Sequence, residues 1–156
     1  MTYKIRLTML IWMANTISIA AQAQEFSFSD TLFSPGQKLT TYSVNFELAR
    51  PEILESSTPF LDSLFQFLNQ HDSLNIELGM HCDERYSNMS STCLTCRRAK
   101  AITDLLIQRG IDPERLLPKG YNDTEPLFFQ AKTEEEHQKN RRLVLTILSA
   151  NWSEED

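Results

Sequence analysis

One succession limits the folds open to this chain more than any other. An apolar alternating run ends on an acid, a polar loop follows, and a helical pattern then carries two arginines in its opening turns. Leu74, Ile76 and Leu78 recur with the period of two that marks a half-buried strand, and Asp83 stands just beyond them. After the loop Asp83 to Ser90, the spacing predicts a helix from about Ser91 to Arg109. Leu94, Ala101, Ile102, Leu105 and Leu106 line its buried face and Gly110 closes it. A half-buried strand needs a cover and an amphipathic helix needs a surface to lie on. The two together predict an α/β fold.

The remaining segments extend that pattern. Leu39 to Glu47 reads as a strand, with Tyr42, Val44 and Phe46 on one face and Thr41, Ser43 and Asn45 on the other. Thr58-Pro59 opens a helix that runs to Gln70, the Thr58 hydroxyl serving as its cap. Leu61, Leu64, Phe65 and Leu68 form its core stripe, widened by Phe60 and Phe67. Leu116 to Tyr121 is a short third strand. Thr133-Glu134-Glu135-Glu136 begins a short helix with its acids where the dipole favours them. Leu143, Leu145 and Ile147 alternate in a final strand. Strands alternating with helices predict a two-layer sandwich, with the two long helices on one face of the sheet.

The first 23 residues do not belong to that core. Lys4 and Arg6 precede a run of about 14 mostly apolar residues, Leu7 to Ala20, and Ala21-Gln22-Ala23 is a small-x-small cleavage site. Spanning a bilayer takes roughly 20 apolar residues, so the segment reads as a secretory signal. The expected organisation is a signal over 1–23 and a lead-in over 24–40, where Phe26-Ser27-Phe28 adds an edge strand. One domain follows over 41–149, then an acidic tail over 150–156. Cleavage removes 2 of the 15 bases and none of the 21 acids, so the mature chain carries 13 − 21 = −8. An acidic surface without a basic cluster argues against nucleic acid as a partner.

No nucleophile elbow, phosphate loop, dinucleotide fingerprint or zinc-protease motif is present, and 4 glycines leave no material for a glycine-rich cradle. The expectation is a non-enzyme without a cofactor. His71 and His137 read as surface residues. Export places Cys82, Cys93 and Cys96 where disulfides persist, and an odd number leaves one thiol over. The favoured pairing is Cys82 with Cys93 or Cys96. A structural zinc on His81, Cys82, Cys93 and Cys96 is disfavoured, because adjacent strand residues point to opposite faces. Asp83 and Arg98 form the sharpest candidate: a carboxylate at a strand end facing a guanidinium at a helix start. Such a pair either neutralises itself or receives a ligand that carries both an amine and a carboxylate.

These residues resemble a known family. Gly79-Met80-His81-Cys82-Asp83, Arg97-Arg98-Ala99, Lys119 to Pro126 and Asn140-Arg141-Arg142-Leu143-Val144-Leu145 are similar to the OmpA-like C-terminal domain, the peptidoglycan-associating module of envelope proteins. The resemblance runs from about Tyr42 to Leu148. It implies a βαβαβ(α)β mixed sheet and a non-catalytic domain of the periplasm, associated with the cell wall or outer membrane. The implied partner is peptidoglycan, with other envelope proteins as further partners. In that role Asp83 takes the amine of the diaminopimelate side chain and Arg98 its carboxylate, with His81, Cys82, Ser91 and Asn140 at the pocket rim. Arg141 and Arg142 match a second arginine pair and read as structural. Met80, Cys82 and Tyr86 depart from the family pattern inside the pocket. The alternative is the same fold kept as a protein-interaction scaffold that has lost the wall.

Overall fold

The computed structural model describes residues 25–85 and 93–150. Four strands and three α-helices alternate: β1 (Lys38–Thr41), α1 (Thr58–Gln70), β2 (Leu74–His81), α2 (Leu94–Gln108), β3 (Leu116–Asn122), α3 (Glu134–Asn140) and β4 (Leu143–Ala150). The sheet order is β1-β4-β2-β3. β2 and β3 are parallel, while β4 runs antiparallel to both β1 and β2. This is the expected mixed α/β sandwich. Leu74, Ile76 and Leu78 of β2 and Leu143, Leu145 and Ile147 of β4 are buried in one cluster with Leu61, Leu64 and Leu68 of α1 and Ile102 and Leu106 of α2. Alternate strand residues share a face, so both long helices cover the same side of the sheet. Among the described residues no helix is long and apolar enough to cross a membrane.

The first strand is shorter than the alternation from Leu39 to Glu47 predicts. β1 ends at Thr41, whose partner Leu143 is the first residue of β4, so the ladder has nothing further to pair with. Beyond it Phe46 makes only an isolated bridge to Ile53. The segment before β1 contributes to the core. Phe26 and Phe33 are buried against Phe67, with ring centroids 5.8 and 5.3 Å away, and Phe28 stacks on the same ring at 5.0 Å. Phe26-Ser27-Phe28 forms no named strand; Ser27 instead turns the chain, its backbone N–H donating to Asp30.

Two local expectations are corrected. Thr58 is already inside α1, and no side chain caps that helix. Ser57 occupies the cap position but spends its hydroxyl on the backbone of Asn45, accepting from its N–H at 2.8 Å and donating to its carbonyl at 3.1 Å. His137 is not a surface residue, and His71 is only partly exposed. His71 packs between Phe33 and Phe67, and His137 is buried on the inner side of α3. Gly110 does close α2, at φ +107°, where a residue with a Cβ would be strained.

Candidate functional site

The C-terminal end of β2 is where the sheet becomes irregular. Met80 pairs with Gly120 but His81 pairs with Asn122, so Tyr121 is the extra residue of a bulge. Met80, His81, Cys82 and Asp83 are all buried in succession because β2 is covered on both faces here. Met80 continues the core face of Ile76 and Leu78, while His81 shares the other face with Glu77 and Gly79, against which Tyr121 packs. The alternation expected of β2 thus holds as far as His81. His81 stacks on Tyr121 with centroids 4.7 Å apart and planes 4° apart. Burial, with the charges of Arg142 and Lys38 added, pushes His81 down to about 4, so it is neutral at pH 7.

Asp83 is fully buried, and its compensation comes from arginines other than the one expected. Arg85, two residues on, donates its backbone N–H to Oδ1 at 3.0 Å, the geometry of an Asx turn. Its side chain reaches back to Oδ1 at 3.3 Å and Oδ2 at 3.0 Å. Arg141, between α3 and β4, donates to Oδ2. Burial by itself would raise the Asp83 pKa, but the hydrogen bonds from Arg85 and Arg141 outweigh it and hold the group below the usual carboxylate range. Glu134, at the start of α3, takes the outer side of both guanidinium groups, at 2.9 Å from Arg85 and 2.8 Å from Arg141. Those two arginines hold Glu134 down to about 2. The result is a closed ring of two acids and two bases.

Arg98 does not close that ring. Its guanidinium lies 4.7 Å from the Phe46 ring centre, and it donates to the carbonyls of Arg50 at 2.9 Å and Glu47 at 3.1 Å. It thus braces the turn over 47–50, in which Ala49 has a positive φ of 57°. Of the two arrangements the sequence left open, a self-neutralising Asp83–Arg98 pair is not the one formed. A buried carboxylate takes the donors its own turn and the neighbouring strand supply, and the second turn of α2 lies over the segment before α1. Arg98 nonetheless lines one cavity with Cys82, the chain neighbour of Asp83. The Cys82 thiol is pushed up to about 11 by burial first, then by Asp123 and Asp83, with Arg98 acting in the opposite sense. That cavity, of about 240 Å³, opens beside Cys82 and is lined by Phe46, Met80, His81, Cys82 and the three arginines Arg98, Arg141 and Arg142, with Asp83 just outside it. No acidic side chain lines it, so it suits an anionic group.

The cysteines pair differently from expectation. Cys93 and Cys96 form the disulfide, and Cys82 is a buried free thiol. Cys93 is the N-cap of α2 and Cys96 lies in its first turn, so helical geometry alone brings their Cα atoms to 5.2 Å. Cys82 instead lines the cavity. The disulfide seats α2 on β3. A Cβ on Gly120 would stand 2.6 Å from both Cys96 Sγ and Thr95 Oγ1. Among the described residues no group of three His, Cys, Asp or Glu side chains is arranged to hold a metal ion.

Asn140 is not at the rim. It is buried at the end of α3, accepting from the N–H groups of Leu127 and Phe128 and donating to the Phe128 carbonyl at 2.8 Å. Arg142 is structural, bonding the carbonyls of Asn140 and Glu125. Arg141 is more than that, since it is one of the Asp83 partners. Ser91 and Tyr86 lie outside the described residues. Arg85 and Glu134 escaped the sequence reading. Asp83-Glu84-Arg85 does carry the signal of an Asx turn, whereas Glu134 resembles any acid at a helix start.

A model of the OmpA family matches residues 45–141. Outer membrane porin F of Pseudomonas fluorescens is 26% identical over 104 residues, covering 67% of this chain and 32% of the porin. The chain thus spans about a third of that relative. The peptidoglycan-associated lipoprotein of Buchnera aphidicola is 26% identical over 162 aligned positions, covering 89% of this chain and 93% of the lipoprotein. Among solved structures, the cell wall anchor of the T6SS from Pseudomonas aeruginosa superposes with a TM-score of 0.57 at 27% identity, covering 68% of this chain and 75% of that one.

Proposed function

The chain belongs to the OmpA family, which is not a family of enzymes, and from that premise we propose that it is a periplasmic peptidoglycan-binding domain that tethers or organises the cell envelope. One observation carries the reading. A buried carboxylate, Asp83, and a guanidinium, Arg98, flank the end of β2 beside a cavity lined by arginines and lacking any acid. That arrangement suits a ligand with an ammonium and a carboxylate at one end, as in the diaminopimelate of a stem peptide. Asp83 receives the ammonium, and Arg98, near the first turn of α2, receives the carboxylate. Each charge-assisted bond contributes about 1.5–3 kcal/mol. The affinity per site is modest and the repeating wall multiplies it. The names of the Buchnera lipoprotein and the Pseudomonas wall anchor support the same reading. The predicted signal over 1–23 supports an exported protein of the periplasm, held at the wall or outer membrane.

Co-sedimentation with purified sacculi tests it. The wild-type chain sediments with the wall, and Asp83→Ala and Arg98→Ala each lose most of that retention. Equal sedimentation of all three removes the site; no sedimentation of the wild type removes the function.

A second reading, a protein-interaction scaffold that no longer binds the wall, is favoured by a different feature. Leu127 and Phe129 are 54% and 81% exposed in consecutive apolar residues whose backbone Asn140 holds in place. An envelope protein that stays bound through purification, and is lost on Phe129→Ser, would favour it over wall binding.

A further inference from the structure

The Asp83 carboxylate has no acceptor position left open. A carboxylate offers about four lone-pair directions. Oδ1 accepts from Arg85 N at 3.0 Å and Arg85 Nε at 3.3 Å; Oδ2 accepts from Arg85 Nη2 at 3.0 Å and from Arg141 Nη1. Three of those donors belong to Arg85. The Arg85 side chain is 43% exposed while that of Asp83 is 0% exposed, so Arg85 is the partner that reaches from solvent inward. Its outer nitrogens are held by Glu134, itself 65% exposed, at 2.9 and 3.3 Å. Withdrawn from Asp83, the guanidinium keeps an anionic partner and stays beside the site.

We propose that Arg85 determines the specificity of this site: it fills the ammonium position on Asp83 and yields only to a ligand whose ammonium and carboxylate sit on one carbon. The inference rests on the wall-binding reading above and deepens it. A plain alkylammonium, such as a lysine side chain, replaces one cation on Asp83 by another and leaves Arg85 with fewer anionic partners than before. An amino-acid terminus supplies the ammonium for Asp83 and a carboxylate whose second oxygen, the first being held by Arg98, is left for the displaced guanidinium, so the number of charge-assisted bonds is kept. Arg85 thereby works against the wrong ligand more than for the right one. Its consequence is discrimination between a stem peptide carrying diaminopimelate and one carrying lysine at the same position.

The test is calorimetric titration of the mature chain with the tripeptide L-Ala–γ-D-Glu–meso-diaminopimelate and with its L-lysine counterpart. Wild type, Arg85→Ala and Arg85→Lys are compared, with circular dichroism as the check on folding. Wild type prefers the diaminopimelate peptide by about tenfold or more. Arg85→Ala binds the lysine peptide more tightly than wild type does, so the preference narrows. Arg85→Lys, which keeps the cation but lacks the planar fork, falls between. A preference unchanged in either variant, or equal weakening of both peptides, overturns the proposal. Should Arg85→Ala not fold, Arg85→Lys decides by the same criterion. Sacculus retention by the wild type with an unaltered preference overturns the role of Arg85 alone. Absence of retention together with absence of binding by every variant overturns the wall reading, and this inference with it.

Discussion

Asp83 and Arg85, two residues apart, share three hydrogen bonds, one from the backbone N–H and two from the guanidinium. A turn just past a strand end therefore neutralises its own buried acid. Asp83→Asn keeps the shape, removes the charge and replaces one of the two oxygens that accept from Arg85 and Arg141 by a donor NH2. We expect a loss of about 1–3 kcal/mol in urea unfolding, and loss of wall retention in the same variant.

Acid should weaken the fold in two separate windows. His81 is held near 4 in the folded protein against 6.5 unfolded, so between those values the unfolded state binds more protons. Its contribution is complete above about pH 6.5 and is lost as pH falls through 4, at most about 3 kcal/mol. Asp83 acts lower, because its depressed folded pKa protects stability until pH drops below the ordinary carboxylate value. Urea midpoints from pH 7 to pH 4 should fall for wild type, and His81→Phe should flatten that decline. An equal slope in both proteins would assign the loss to other groups.

The thiol pattern gives a direct count. The unfolded, non-reduced chain should release one thiol to an Ellman reagent and the native chain none, since Cys82 is buried and its thiol is pushed up to about 11. Three thiols would mean that Cys93 and Cys96 are reduced. Breaking their short loop should cost about 2 kcal/mol.

Gly120 is where α2 and β3 touch most closely. Gly120→Ala brings a methyl group against Cys96 Sγ and Thr95 Oγ1, each 2.6 Å away, and against the Cys96 backbone. Backbone cannot swing aside as a side chain can, so we expect a loss of about 1–3 kcal/mol, read from the thermal midpoint. Gly110→Ala, with open space around it but a φ of +107°, should cost about 1 kcal/mol through backbone strain alone.

The regular parts of this protein were legible in the sequence because each follows from a repeat along the chain. Leu74, Ile76 and Leu78 gave β2, and Leu61, Leu64 and Leu68 gave α1 with its observed limits, Thr58 and Gln70. The capping box of α3 was half visible in Thr133 and Glu136. The end of β2 was less legible. There Tyr121 of the neighbouring strand lays its ring over His81 on the face opposite the core, and a pattern along one strand does not show what covers its second face.

By itself, the sequence determined the order of strands and helices, the side each turns inward, and that Asp83 and Arg98 lie at the same end of the sheet. Those follow from local periodicity, which a chain carries wherever it goes. Only the tertiary structure decided which groups meet. It turned Asn140 onto the 127–128 backbone, gave Arg98 to the carbonyls of Glu47 and Arg50, and brought Arg141 to Asp83. The reason is burial. A carboxylate taken out of water accepts the donors that reach it first: Arg85 through its own turn, and Arg141 through packing that closes 58 residues of chain.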